Sequence, residues 1–396
     1  MRGYLRSDGR KGIRNVLAVA YLVECAHHVA REIAAPFRQQ EVHLIGFPGC
    51  FPNAYAGRIM RQLCTHPNVG GVLLVSLGCE SFDRRGLEAA IAASGRPVRT
   101  VVIQELGGTR PTIDAGKQWV EQTLGVLAST PRAPMEIREL VVGAICGGSD
   151  ATSGLTANPA VGRAFDRLVD AGATAIFEET GELIGCEQFM AARSATPALG
   201  REVMASVAKA ERYYRTLGHG SFAPGNADGG LTTIEEKSLG AYSKSGRSTI
   251  SGLIKPGDVP PRGGLYLLDV VPDGDVRFGF PNISDNAEIV ELIACGAHLT
   301  LFTTGRGSVV GSAISPVIKI CANPDTYRRM AEDMDIDAGR ILAGRATLDE
   351  VGREIFELVL KVADGRRTCS ERLGHREFIL TYKAFEPIGP DCLPLA

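Results

Sequence analysis

GVLLVSLGCE, residues 71–80, decides the fold. Its first half is rich in β-branched and leucine side chains and shows no alternation, the mark of a strand buried on both faces. Such strands belong to parallel sheets covered by helices. Those sheets take their ligands outside the carboxyl ends of their strands. The run ends at Gly78-Cys79-Glu80, at that end of the strand.

The pattern on either side agrees. Apolar strand-like runs at residues 15–23, 42–46, 71–77 and 98–103 alternate with helical patterns at 25–35, 54–64, 84–93 and 112–127. Alternation at this spacing predicts a doubly wound parallel sheet. STPRAPME, residues 129–136, is a proline-containing break, read as a linker between a first α/β domain (1–128) and a second (137–396). The pattern then restarts, with strands at 139–145 and 174–177 around a helix at 159–171. A helical region at 187–217 is interrupted at Pro197, and a glycine-rich loop at 219–231 follows. A compact domain keeps so long a loop only for a function. Later strands are predicted at 264–271, 299–303 and 316–320, with helices at 286–294, 326–334 and 348–363. The expected architecture is α/β: two Rossmann-like parallel-sheet halves with a C-terminal extension.

Composition narrows the function. The 396 residues carry a formal charge of −2, with 43 Lys+Arg against 45 Asp+Glu. No basic tract supplies the electrostatic footprint of a nucleic-acid binder. The apolar runs fall well short of the ~20 residues that cross a bilayer. The charged N-terminus followed by a strand does not read as a signal peptide. Ten cysteines scattered through so large a chain point to a reducing, cytoplasmic compartment rather than to disulfides.

Three of those cysteines share one context. Cys50, Cys79 and Cys146 each stand beside glycine just past a strand, where three thiols meeting in one crevice could hold a soft or borderline metal. The alternative for each is a tight turn with a small side chain. No C-x-x-C spacing supports a zinc ribbon or ferredoxin-type site. In CGGSDATSGLTANP, a Gly/Ser loop leads into a helix expected near Pro159 with Asn158 as its cap. Ser149 and Asn158 there suit an anionic substrate group, and Asp150 an acid/base or supporting role. Arg306, between two glycines after Thr304 in FTTGRGSVVG, suits bidentate recognition of a carboxylate. Lys319 interrupts an apolar run, and is either snorkelling or functional. Glu235, Glu236 and Lys237 read as the start of a solvated helix. Of His27 and His28, one is expected in solvent and the other near the crevice, where it could move protons.

These segments together resemble the altronate/galactarate dehydratase family. The resemblance runs through GYLRSDGRKGIRN (3–15), HPNVGGVLLVSLGCE (66–80), IQELGGT (103–109) and CGGSDATSGLTANPA (146–160). It continues through EETGELIGCE (178–187), GNADGGLTTIEEKSLG (225–240), FTTGRGSVVG (302–311) and DMDIDAG (333–339). It implies a lyase that eliminates water from a sugar acid to give a 2-keto-3-deoxy acid after metal-assisted removal of the α-proton. The implied metal is divalent, iron by expectation, at Cys50, Cys79 and Cys146. Arg306, Ser149, Thr304 and Asn158 would bind substrate, and His28, Asp150, Lys237 or Lys319 would move protons.

Two departures qualify this expectation. Family members with one long chain carry a small domain ahead of the GYxRxDGRxGxRN segment, whereas Met1 stands two residues before Gly3. The chain therefore resembles the large subunit of a two-subunit form, working with a small partner subunit and with further copies of itself. A two-subunit sulfolactate sulfo-lyase, which expels sulfite, is similar. The family also often has cysteine where this chain has Ala241 and Ser312, which depletes any metal site and leaves a non-catalytic scaffold subunit as another alternative. A dinucleotide-binding oxidoreductase is disfavoured, because no strand is followed by G-x-G-x-x-G with an acidic residue ~20 positions on.

Overall fold

The computed structural model describes residues 1–218, 224–273 and 283–383. Its strands are β1 (Arg2–Leu5), β2 (Lys11–Gly12), β3 (Val16–Tyr21), β4 (Val42–Gly46), β5 (Val69–Ser76), β6 (Val98–Val102) and β7 (Arg132–Pro134). They continue with β8 (Val141–Cys146), β9 (Thr174–Phe177), β10 (Ile250–Ile254), β11 (Gly264–Leu268), β12 (Leu299–Thr304), β13 (Val317–Cys321) and β14 (Ile336–Asp337).

Two all-parallel sheets carry the fold. The first has the order β4-β3-β5-β6, the second β10-β11-β9-β8-β12-β13-β14. The α/β expectation holds. Every residue of β5 is buried, as the unalternating run requires. A small antiparallel sheet, β2-β1-β7, ties the N-terminus to residues 132–134. The segment read as a linker thus contains a paired strand. In the second sheet the order reverses between β8 and β12, so Cys146 and Thr304 end adjacent strands at a topological switch point.

The helices explain themselves locally. Pro197 does interrupt the long helical region, but as the first residue of a new helix, Pro197–Leu217, capped by the Thr196 hydroxyl. Leu348–Ala363 begins with a reciprocal Thr347/Glu350 capping box. Asn158 does not cap its helix. That helix starts at Ala157, and Asn158 lies inside its first turn, accepting a bond from the Thr303 hydroxyl at 2.6 Å. The expected helix at 326–334 is shorter, Pro324–Arg329, and the strand expected at 264–271 stops at Leu268. Strand β10 was not predicted. The loop at 219–231 holds a short helix, Pro224–Asp228, and its residues 219–223 lie outside the described residues.

The two sheets share a core. The helix Ala54–Cys64 on the first packs against Asp285–Ala294 on the second, and one apolar cluster runs from Leu74 and Ile45 to Ile145, Leu268 and Phe302. A linked polar cluster is buried along this seam. The Tyr55 hydroxyl donates to Glu291 at 2.6 Å, and the Lys383 ammonium lies 2.8 Å from the same carboxylate with both side chains fully buried. No described helix is long and apolar enough to cross a membrane.

Candidate active site at the switch point of the second sheet

Two strand ends and two helices converge beyond β8. From β8 comes Cys146 and the loop Gly147-Gly148-Ser149-Asp150. From β9 come Glu178, Glu179 and Glu182. The helix Ile234–Ser243 and its C-cap bring Lys237 and Lys244, and the helix Asp285–Ala294 brings Asp285 and Glu288. A Cβ on Gly147 would stand 2.0 Å from the Asp285 carboxylate and 2.5 Å from the Phe302 ring, so the turn packs closely against both. Glu179 adopts φ 82°, a left-handed conformation unusual for a residue with a side chain. Backbone strain of this kind clusters at functional sites.

The polar contacts form a network. The Cys146 thiol donates to Glu182 at 3.3 Å and lies 3.4 Å from the Ser149 hydroxyl. The Cys146 amide donates to Glu179 at 3.0 Å. Lys237 donates to Ser149 at 3.2 Å and pairs with Glu182 at 2.7 Å, while Lys244 pairs with Glu179. Cys146, Glu179 and Glu182 present ligand atoms that all lie within 4.8 Å of one another. They form the one such group among the described residues, and Cys50 and Cys79 are not in it.

Burial makes these charges expensive. It pulls the Lys237 ammonium down, but the Glu182 and Cys146 charges outweigh it and hold that group above its ordinary value. Burial, reinforced by Glu182 and opposed by both lysines, raises the Cys146 thiol. Glu178 is pushed well above the carboxylate range, by burial first and then by Glu288. Neither of its oxygens has a hydrogen-bond partner. Burial, countered by Lys383 and aided by Asp285, raises Glu288 to about 8. Asp285 reaches solvent at the rim, yet the protein around it and the Glu182 charge raise it to about 6.

The other residues singled out in the sequence are placed as follows. Asp150 is buried and spends its carboxylate on its own turn and on a neighbouring loop, accepting from Thr152 and Ser153 and from Asn323 beyond β13. Thr304 and Asn158 are also buried braces, Thr304 accepting from the Gly307 amide. Arg306 is exposed at the rim and donates to the Gly225 carbonyl. Lys319 is fully buried in β13, 3.4 Å from His375 and 3.8 Å from Asp333, outside this network. His28 is exposed on the helix Glu24–Ala34, in contact with Arg31. Glu235 and Glu236 are exposed as expected, whereas Lys237 turns inward. Ala241 is buried one turn from Lys237 on the same helix and offers no ligand atom. The sequence reasoning missed Glu178, Glu179, Glu182, Lys244, Asp285 and Glu288. The signal was in EETGE, three carboxylates within five residues directly after a buried strand.

Comparison with known proteins supports the same region of chemistry. Residues 137–385 match the family model described as D-galactarate/altronate dehydratase, C-terminal. Residues 3–128 match the second domain of D-galactarate dehydratase/altronate hydrolase. The chain is 34% identical to the (2R)-sulfolactate sulfo-lyase subunit beta of Chromohalobacter salexigens, over 96% of each chain. It is 32% identical to the galactarate dehydratase (L-threo-forming) of Escherichia coli, over 94% of this chain and 74% of that one. It is 29% identical to the altronate dehydratase of the same organism, over 95% of this chain and 76% of that one. These relatives are lyases by name, and the match extends across both halves of the molecule. The chain belongs to the D-galactarate/altronate dehydratase family.

Proposed function

We propose that the chain is the large subunit of a lyase that turns a 2-hydroxycarboxylate into a 2-keto acid by removing the C2 proton and expelling a group from C3. The observation that carries this reading is the buried Lys237 ammonium, held between Glu182 and Ser149 at the switch point. A cation fixed in a low-dielectric crevice stabilises negative charge far better than one in water.

In this scheme Asp285 accepts the C2 proton, because a carboxylate raised to about 6 is ionised at neutral pH and still basic enough to act. The C–H electron pair becomes the C2=C3 bond, and the C3 substituent leaves with its own pair. Lys237 gives its proton to a departing hydroxide, forming water. The enol then takes a proton at C3, releases the proton of its C2 hydroxyl, and becomes the keto acid. Ser149 donates a hydrogen bond to the substrate, and Arg306 at the rim binds its carboxylate.

A divalent cation, iron by expectation, fits this donor set. Cys146, Glu179 and Glu182 would hold it, and Glu178, next to Glu179, has two buried carboxyl oxygens without a partner. Sulfur with oxygen suits a borderline metal. When bound, it supplies a Lewis acid for the charge that develops on the substrate.

Dehydration of a sugar acid is the first reading. Expulsion of sulfite from sulfolactate is the second, favoured by the near-complete mutual coverage with the sulfo-lyase subunit. That relative's name as a subunit also supports a small partner chain. The test is anaerobic purification with the co-expressed small subunit and added ferrous iron, followed by assay on galactarate, altronate and sulfolactate. The expected product is a 2-keto acid from one of them, with sulfite only from sulfolactate. No product from any of the three overturns the catalytic reading.

A further inference from the structure

A second polar cavity lies at the opposite ends of the strands. His43 is the second residue of β4, Arg14 precedes β3, and Ser312 and Pro316 precede β13, so all stand at amino ends, away from the crevice at Cys146. A cleft of about 550 Å³ opens there between the helix Glu24–Ala34, the start of β4 and residues 367–377. A narrow recess of about 10 Å³ adjoins it, sharing Arg367, Glu371 and Arg376.

The lining is unbalanced in charge. Arg14, Arg31, Arg38, Arg367, Arg372 and Arg376 face three glutamates, on a chain whose overall charge is negative. Arg14 pairs with Glu371 at 2.6 Å, Arg367 with Glu41, and Arg31 with Glu32. Among the described residues, Arg38, Arg372 and Arg376 have no carboxylate partner. Arg376 donates to the carbonyls of Val42 and Arg38, and Arg372 to the Arg367 carbonyl and the Cys369 sulfur. Burial lowers the Arg376 guanidinium; the charges of Glu41 and Glu371 oppose it, while those of Arg367 and Arg38 press the same way as burial.

Two buried polar side chains line the recess unsatisfied. Ser312 is 8% exposed and its hydroxyl has no partner. His43 is 6% exposed; its Nε2 lies 3.3 Å from Glu41, and its Nδ1 has no partner. Native proteins satisfy nearly all such atoms, with water or ligand where the chain does not. The recess has room for one water, so it relays the cleft to these groups rather than holding a ligand itself.

We propose that this cleft is a second binding site, for a small organic polyanion bearing carboxylates or phosphates. Guanidinium groups bind both through paired, charge-assisted N–H donors. The site is independent of the lyase reading, because none of its lining residues belongs to the Cys146 network.

The test is calorimetric titration of the purified chain with citrate and, separately, pyrophosphate, at constant ionic strength. The probes are wild type, Arg38→Ala/Arg372→Ala, and Cys146→Ser. The chosen arginines are exposed, and a thermal melt checks that the double variant is folded. Saturable binding of at least one probe is expected, weakened about tenfold or more in the double variant and retained in Cys146→Ser. Preference for citrate identifies a carboxylate ligand, and preference for pyrophosphate a phosphate ligand. Absence of saturable binding by both, binding unchanged in the folded double variant, or loss in Cys146→Ser overturns the proposal.

Discussion

Each parallel sheet ends strands in turns where glycine and cysteine are neighbours, yet only in the second is the cysteine buried among charged groups. In the first half, Cys50 and Cys79 are exposed, and their loops touch through the Ser81 amide donating to the Cys50 carbonyl. Glu80, the nearest carboxylate in sequence, turns back on its own loop and accepts from the Gly78 amide at 2.8 Å and the Ser76 hydroxyl. Burial would raise that carboxyl, but those hydrogen bonds outweigh it and lower it. In the second half, Cys146 is buried among carboxylates that its own turn cannot satisfy, and two lysines arrive from a distant helix. A strand end marks where a ligand can sit. Chemistry needs charged groups gathered there and buried, where they act more strongly than in water.

The largest expected effect tests that distinction directly. Lys237→Met leaves Glu182 without its cation and removes the acid of the proposed elimination. A loss in kcat/KM on the order of 10²–10³-fold is expected, the range for losing a positioned proton donor or charge stabiliser. The measurement is turnover on whichever of the three substrates is processed. A variant within a few-fold of wild type would sink the assignment of Lys237 and weaken the contrast between the two halves.

Next comes pH. With Asp285 at about 6 and required as the carboxylate, kcat/KM should rise as pH climbs through about 6 and level off above it. Asp285→Asn should lower activity and erase that acid limb. If the limb persists in the variant, another group is the base.

Much of this was legible in the sequence, for a physical reason. Strands such as β5 are buried on both faces, so their composition alone betrays them, and a Gly-Cys turn marks where they end. The convergence was not legible. Lys237 follows Glu235 and Glu236 in what reads as a solvated helical turn, and only packing turns it inward. Lys244 and Asp285 lie 98 and 139 positions from Cys146, distances that no local pattern reports. Strand β10 escaped because ISGLI is short and broken by glycine.

A smaller effect concerns stability. Glu288 binds a proton at about 8 when folded and near 4.5 when unfolded. Between those values the folded chain holds a proton that the unfolded chain has lost. Its stabilising share is therefore complete below about 4.5 and declines as pH rises towards about 8. Metal-free protein should melt at a higher temperature at pH 6 than at pH 8.5. Glu288→Gln should flatten that slope. The first half has no fully buried raised carboxylate among the described residues to produce such a slope, so an unaltered pH dependence in the variant would contradict the account of the acid cluster.

The smallest expected effect is the most exposed test of the comparison. Cys50→Ser and Cys79→Ser change one atom each in side chains that face solvent, and neither thiol makes a polar contact recorded among the described residues. Each variant should keep kcat/KM within about twofold and its melting temperature nearly unchanged, as surface substitutions usually do. Cys146→Ser, chemically the same exchange, should lose metal affinity and most turnover, because it replaces a sulfur donor between Glu182 and Ser149. The three substitutions are matched in chemistry and differ only in place, so their ratio isolates what the second sheet adds. If Cys79→Ser proved as damaging as Cys146→Ser, the exposed loop of the first half would have to reach the reacting groups, and both strand ends would belong to one crevice.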